Sequence, residues 1–114
     1  MSALEDRLVA QIHVAGLPPP KREGRLVPGR RFRCDLYWPE AKVVCEVEGD
    51  IWRGGRHSRG NGMTTDAVKY NLLTLLGWKV LRVTANHIQN GEAIQWIASA
   101  LDGPLRLGLR EQED

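Results

Sequence analysis

Asp35, Glu46 and Glu48 carry the clearest chemical potential in this sequence, because the segments that hold them bring their carboxylates to one place. Residues 31–37 alternate. Phe32, Cys34 and Leu36 form one face, and Arg31, Arg33, Asp35 and Tyr37 the other. Residues 43–48 alternate as well, with Val43, Cys45 and Val47 opposed to Val44, Glu46 and Glu48. The stretch Trp38-Pro39-Glu40-Ala41-Lys42 between them has turn chemistry, so the spacing predicts a β-hairpin. Pairing Leu36 with Cys45 and Cys34 with Val47 joins apolar to apolar on the inner face. The same register sets Asp35 opposite Glu46 and Arg33 opposite Glu48. Like charges opposite one another on adjacent strands are destabilising, and Glu48 stands two residues along from Glu46 on the same face. A divalent cation relieves that repulsion. Oxygen ligands suit Mg²⁺, with Mn²⁺ substituting. The expected metal ligands are Asp35, Glu46, the backbone carbonyl of Val47, and Glu48. The bland alternative is a solvated sheet face on which Arg33 neutralises part of the charge.

Such a metal suits phosphodiester hydrolysis, which needs an activated water, a neutralised phosphate and a stabilised leaving oxygen. A lysine commonly assists. The third position of Glu46-Val47-Glu48, where that lysine is expected, holds Glu48. Lys69 is the candidate to replace it. It stands three residues from Asp66, hence on one helix face, and an Asp66–Lys69 surface pair is the alternative. His57 is a candidate to protonate a leaving group or to contact phosphate. It lies in a glycine-rich basic loop, 49–62, whose Arg53, Arg56 and Arg59 are expected, with Arg33, to hold a DNA backbone. The glycines let backbone amides approach phosphates closely.

These residues need a frame to position them. Residues 3–15 read as an amphipathic helix capped by Ser2 and ended by Gly16, after which Pro18, Pro19 and Pro20 force an extended segment. A first strand is expected at 22–27, a helix from Thr64 or Thr65 to Leu76, a strand at 78–84 and a last helix at 91–101. The order αβββαβα is that of an α/β domain, a central mixed β-sheet flanked by helices. Trp78 and Trp96 are expected in the core. Trp38 and Trp52 are candidates for exposure, where an indole wedges into or stacks on distorted DNA.

At 114 residues the chain is read as one domain, 1–114. Its 42% hydrophobic and 26% charged composition is ordinary for a globular protein. No apolar run approaches the roughly 20 residues of a membrane span, and the first ten residues do not read as a signal peptide. A net charge of +2 says little about nucleic acid, but the basic residues of 21–33 and 53–59 flank the acidic cluster, while the C-terminal tail is acidic. Cys34 and Cys45 are too few for a disulfide framework and read as buried thiols, with a redox bridge as the alternative.

Phe32-Arg33-Cys34-Asp35 followed by Val44-Cys45-Glu46-Val47-Glu48-Gly49 resembles the PD-(D/E)XK nuclease core. Three further stretches extend the likeness: Gly54-Gly55-Arg56-His57-Ser58-Arg59-Gly60, then Asp66 with Lys69-Tyr70-Asn71, then Gly77-Trp78-Lys79-Val80-Leu81-Arg82-Val83-Thr84. Together they are similar to small phage and bacterial endonuclease domains related to the very-short-patch-repair endonucleases. The likeness spans roughly residues 4–97. It implies a restriction-endonuclease-like fold, Mg²⁺-dependent DNA cleavage, and Asp35 and Glu46 as metal ligands. Glu48 would be a further ligand, and Glu5 resembles a helix-borne acid that completes some sites of this superfamily. With no separate recognition domain, the chain is expected to select DNA structure over sequence, as a Holliday-junction resolvase acting as a homodimer does. The localisation implied is the cytoplasm of a bacterium or a phage-infected host. The alternatives are a mismatch-nicking endonuclease, a catalytically inactive DNA-binding module, and a protein-interaction domain on the same fold.

Overall fold

The computed structural model describes residues 2–49 and 60–102. Helix α1 (Ala3–Val14) starts where Ser2 accepts the Glu5 N–H on its hydroxyl, so one orphan donor of the first turn is satisfied. Strand β1 (Lys21–Gly24) follows the prolines and is shorter than the strand expected at 22–27. Strands β2 (Cys34–Trp38) and β3 (Val43–Val47) form the expected hairpin, and Leu36 faces Cys45 as the alternation required. Helix α2 (Gly60–Leu75) returns the chain to β4 (Lys79–Val83), and α3 (Ala85–Asn90) and α4 (Glu92–Asp102) close the order.

The sheet order is β1-β2-β3-β4. The first two pairings are antiparallel and β3–β4 is parallel, so the sheet is mixed. β3 is interior and carries the run Val43, Val44, Cys45, each wholly buried. A strand covered on both faces needs such a continuous apolar run. On one face Leu36, Trp38, Val43 and Cys45 pack with Leu8 and Ile12 of α1, Ile88 of α3, and Ala93 and Ile97 of α4. On the other, Cys34 and Val44 pack with Val27 and Leu73, the latter from α2. A side chain of this size contributes roughly 1.5–3 kcal/mol when fully buried, so the two layers clamp the hairpin from both sides.

Four expectations differ from what is seen. α2 begins at Gly60, earlier than Thr64; Gly60 and Gly62 disfavour a helix, which is why these residues read as loop in the sequence. Residues 85–90 form a separate helix where no element was expected. There the Thr84 N–H donates to His87 Nδ1 at 3.0 Å, and Gly91 turns the chain at φ 90°. Trp38 is buried, not exposed at the hairpin end; its indole N–H donates to the Pro18 carbonyl at 2.7 Å, which docks the proline segment. Cys34 and Leu36 were expected on one face, yet they pack in different clusters, so the alternation of β2 breaks at Asp35. Trp78 and Trp96 are half-buried against the core. Both cysteines are free and buried, one on each face.

Candidate metal centre

The break in β2 makes the site. Backbone pairing of the hairpin runs from Trp38↔Val43 to Leu36↔Cys45. Beyond it, the Val47 N–H donates to Asp35 Oδ2 at 2.8 Å, so a side chain takes the place of a ladder acceptor. The Asp35 carboxylate is thereby fixed against the Glu46–Val47 backbone.

Three elements deliver acids to this point. Carboxylate oxygens of Glu5 on α1, Glu23 on β1 and Asp35 on β2 all lie within 4.8 Å of one another. Glu5 is only 3% exposed, and Arg22 Nε donates to its Oε2 at 3.1 Å while Arg22 Nη2 donates to Asp6 Oδ1 at 2.7 Å. Glu23 sits at φ 55°, a left-handed conformation uncommon for a residue with a side chain. Gly24 follows it and lies so close under the Tyr37 ring that a Cβ would stand 2.4 Å from Tyr37 Cε1. A side chain at position 24 would force the Tyr37 ring to move.

Glu46 lies on the α2 side and is 5% exposed. Lys69 Nζ donates to Glu46 Oε1 at 3.0 Å and to the Arg33 carbonyl at 2.7 Å. The ammonium therefore bridges β2 and β3 where they part, and its partner is Glu46 rather than Asp66. Among the described residues Glu46 Oε2 is buried with no hydrogen-bond partner. A buried carboxylate oxygen left this way costs free energy until something coordinates it.

The electrostatics agree with the geometry. Burial raises the Asp35 carboxyl above its usual range, and the Val47 N–H offsets part of this. Burial also raises Glu46, with Lys69 lowering it and Asp35 raising it further. Glu5 is raised by burial and held down in part by Arg22. The Cys34 thiol is pushed up to about 12 by burial and by the Glu46 charge, so it stays a neutral neighbour. An all-oxygen set with acids raised by burial and by one another suits a hard divalent cation.

The structure thus pairs Glu46 with Lys69, while the acids that close on Asp35 are Glu5 and Glu23; that group of three includes neither Glu46 nor Glu48. Glu48 forms an ion pair with Arg82 Nε, and the Arg33 guanidinium lies 4.0 Å from Glu23. His57, Arg53, Arg56, Arg59 and Trp52 lie outside the described residues. Glu23 and Arg22 were missed by sequence reasoning. The pairing of β1 with β2 places them: Arg22 faces Leu36 and Gly24 faces Cys34, leaving Glu23 level with Asp35.

The fold is similar to that of the Homing Endonuclease I-Bth0305I Catalytic Domain, with a TM-score of 0.64 and 19% identity over 88% of this chain and 94% of that one. No protein-family model matches the chain, and no curated protein matches it in sequence. At this identity the likeness is one of fold. Among the described residues no helix is long and apolar enough to cross a membrane.

Proposed function

We propose that this chain is a divalent-metal-dependent DNA endonuclease. The observation that carries the reading is the splayed end of the hairpin. There Asp35 and Glu46 stand on parting strands, Lys69 is fixed on Glu46, and the Glu5 and Glu23 carboxylates close on Asp35. Its setting on a fold similar to a homing endonuclease's catalytic domain supports it.

Asp35, Glu46 and the Val47 carbonyl are the ligands for Mg²⁺, with Glu5 and Glu23 supplying further oxygens. A cation held there supplies an ionisable water and neutralises phosphate charge. The protein's own part is positional. The Val47 N–H fixes one oxygen of Asp35, Oδ2. Lys69, with two acceptors already fixed, holds Glu46 and presents its charge where water and phosphate must meet. In this role it replaces the lysine expected at position 48. Arg33, Arg53, Arg56 and Arg59 hold the DNA backbone, and His57 is a candidate proton donor.

The substrate reading is branched DNA, with a four-way junction cut symmetrically by a homodimer. Its support is the basic stretches at 21–33 and 53–59, which suit phosphate contacts that position DNA without reading its sequence. The test is cleavage of labelled duplex, nicked, mismatched, flap and four-way DNA with Mg²⁺, Mn²⁺ or EDTA, beside Asp35→Asn. Metal-dependent paired cuts in the junction, lost in the variant, are expected. Cutting at mismatches alone would transfer the reading to mismatch nicking, and no cutting of any substrate would overturn the enzyme.

A further inference from the structure

Arg82 is a charged residue that the proposed site does not use, yet the sheet places it beside that site. In the parallel pair β3–β4 it is the register partner of Glu46. Both residues lie near the carboxyl ends of their strands, where ligands of α/β sheets characteristically bind. Consecutive residues of α2 engage this pair: Lys69 donates to Glu46, and the Tyr70 ring lies 4.4 Å from the Arg82 guanidinium carbon. Glu48 takes the Nε edge, and its own N–H is held by the Val83 carbonyl at 2.7 Å. The guanidinium is therefore held between a ring and a carboxylate.

What it keeps open is informative. Its side chain is 48% exposed, its Nε edge is the one that Glu48 takes, and the Asp66 carboxylate is a further charge near it. An arginine retained only to pair with Glu48 has no need of an aromatic ring beside it or of an exposed outer edge. A planar fork with its outer edge exposed is suited to a phosphate. Because the guanidinium is already held, little rotamer freedom is lost on binding.

We infer that Arg82 binds a backbone phosphate of the DNA strand beside the Glu46–Lys69 pair, with Glu48 and Tyr70 as its positioning residues. The inference rests on the proposed endonuclease reading. On it, Glu48 acts by orienting Arg82, and the metal is held without it.

The test is binding of a fluorescein-labelled DNA duplex in EDTA, followed by anisotropy from about 50 to 200 mM salt. Wild type is compared with Arg82→Gln, Arg82→Met and Arg82→Lys. Methionine keeps an apolar contact with the Tyr70 ring and covers the case in which the glutamine variant does not fold. Loss of one phosphate contact lowers the slope of log K against log salt by about 0.9. It also weakens binding roughly tenfold. That slope loss in the uncharged variants, with recovery in Arg82→Lys, is the expected result. A merely structural arginine would change thermal stability and leave the slope at its wild-type value, which would overturn the inference. Wild type showing no salt-dependent DNA binding would instead overturn the endonuclease reading, and the inference with it.

Discussion

Replacing Asp35 by asparagine should remove activity and make the metal-free protein more stable. Asp35 shares a 4.8 Å cluster with Glu5 and Glu23. Two unit charges at that separation repel by about 3.5 kcal/mol at an effective dielectric of 20, and by about 0.9 kcal/mol in bulk water. The site lies between these limits, since Glu5 is buried and the Glu23 side chain is 34% exposed. Asparagine relieves two such repulsions and keeps an oxygen for the Val47 N–H. It also forfeits the attraction between Asp35 and Lys69, which lowers the Asp35 carboxyl in the wild type. The net gain should be about 1–2 kcal/mol, an increase in Tm of roughly 4–8 °C for a domain of this size. Thermal unfolding near neutral pH in EDTA measures it. The sign fixes the pH dependence. The folded-state carboxyls of Asp35, Glu5 and Glu46 are raised, so the wild type is favoured below their unfolded values and loses that advantage as pH rises through the folded ones. The variant's lead should therefore be greatest at neutral pH and shrink on acidification. An asparagine variant less stable than wild type at neutral pH would show that the cluster is not repulsive and refute the reasoning.

Saturating Mg²⁺ or Mn²⁺ should raise the wild-type Tm by mass action, by about 2.7 kcal/mol at one hundred times Kd, and Asp35→Asn should lose most of that gain in the same thermal scan. Lys69→Met should abolish cleavage and cost about 3 kcal/mol in denaturant unfolding, because it strands Glu46 in a buried pair whose side chains are 13% and 7% exposed. Gly24→Ala should cost about 1–3 kcal/mol by the same measurement, because its methyl group meets the Tyr37 ring and one of the two must move. Trp38→Phe should cost about 1–2 kcal/mol, since it leaves the Pro18 carbonyl without its donor, and cleavage should persist at temperatures where the variant is folded.

The hairpin and its acids were legible because strand alternation has a fixed period and a one-residue slip would have exposed Leu36 and Cys45. α1 was legible from Leu4, Leu8 and Ile12, and the α/β class from the element order. What alternation could not show was its own failure. At Asp35 a side chain replaces a backbone acceptor, Cys34 changes face, and no periodic signal marks the event. Glu23 was hidden for a related reason: its backbone leaves the extended region at φ 55°, so strand logic gave no face for it. Glu48 was marked by its spacing from Glu46, but that spacing says nothing about β4, which supplies the Arg82 partner from far along the chain. Lys69 could be proposed from its place on α2, but only the packing of α2 on the sheet brings its ammonium to Glu46. Trp38 seemed exposed because it precedes a turn, whereas the proline segment lies close enough to accept its indole N–H.

The account's central claim is that Asp35 and Glu46 hold a divalent cation that hydrolyses DNA. Single-turnover cleavage of a labelled four-way junction and its parent duplex, with and without Mg²⁺, tests it most directly when wild type is run beside Asp35→Asn and Glu46→Gln. The account predicts Mg²⁺-dependent strand scission by wild type, none in EDTA, and none by either variant although both remain folded. Scission that persists in both variants, or that needs no metal, would contradict it.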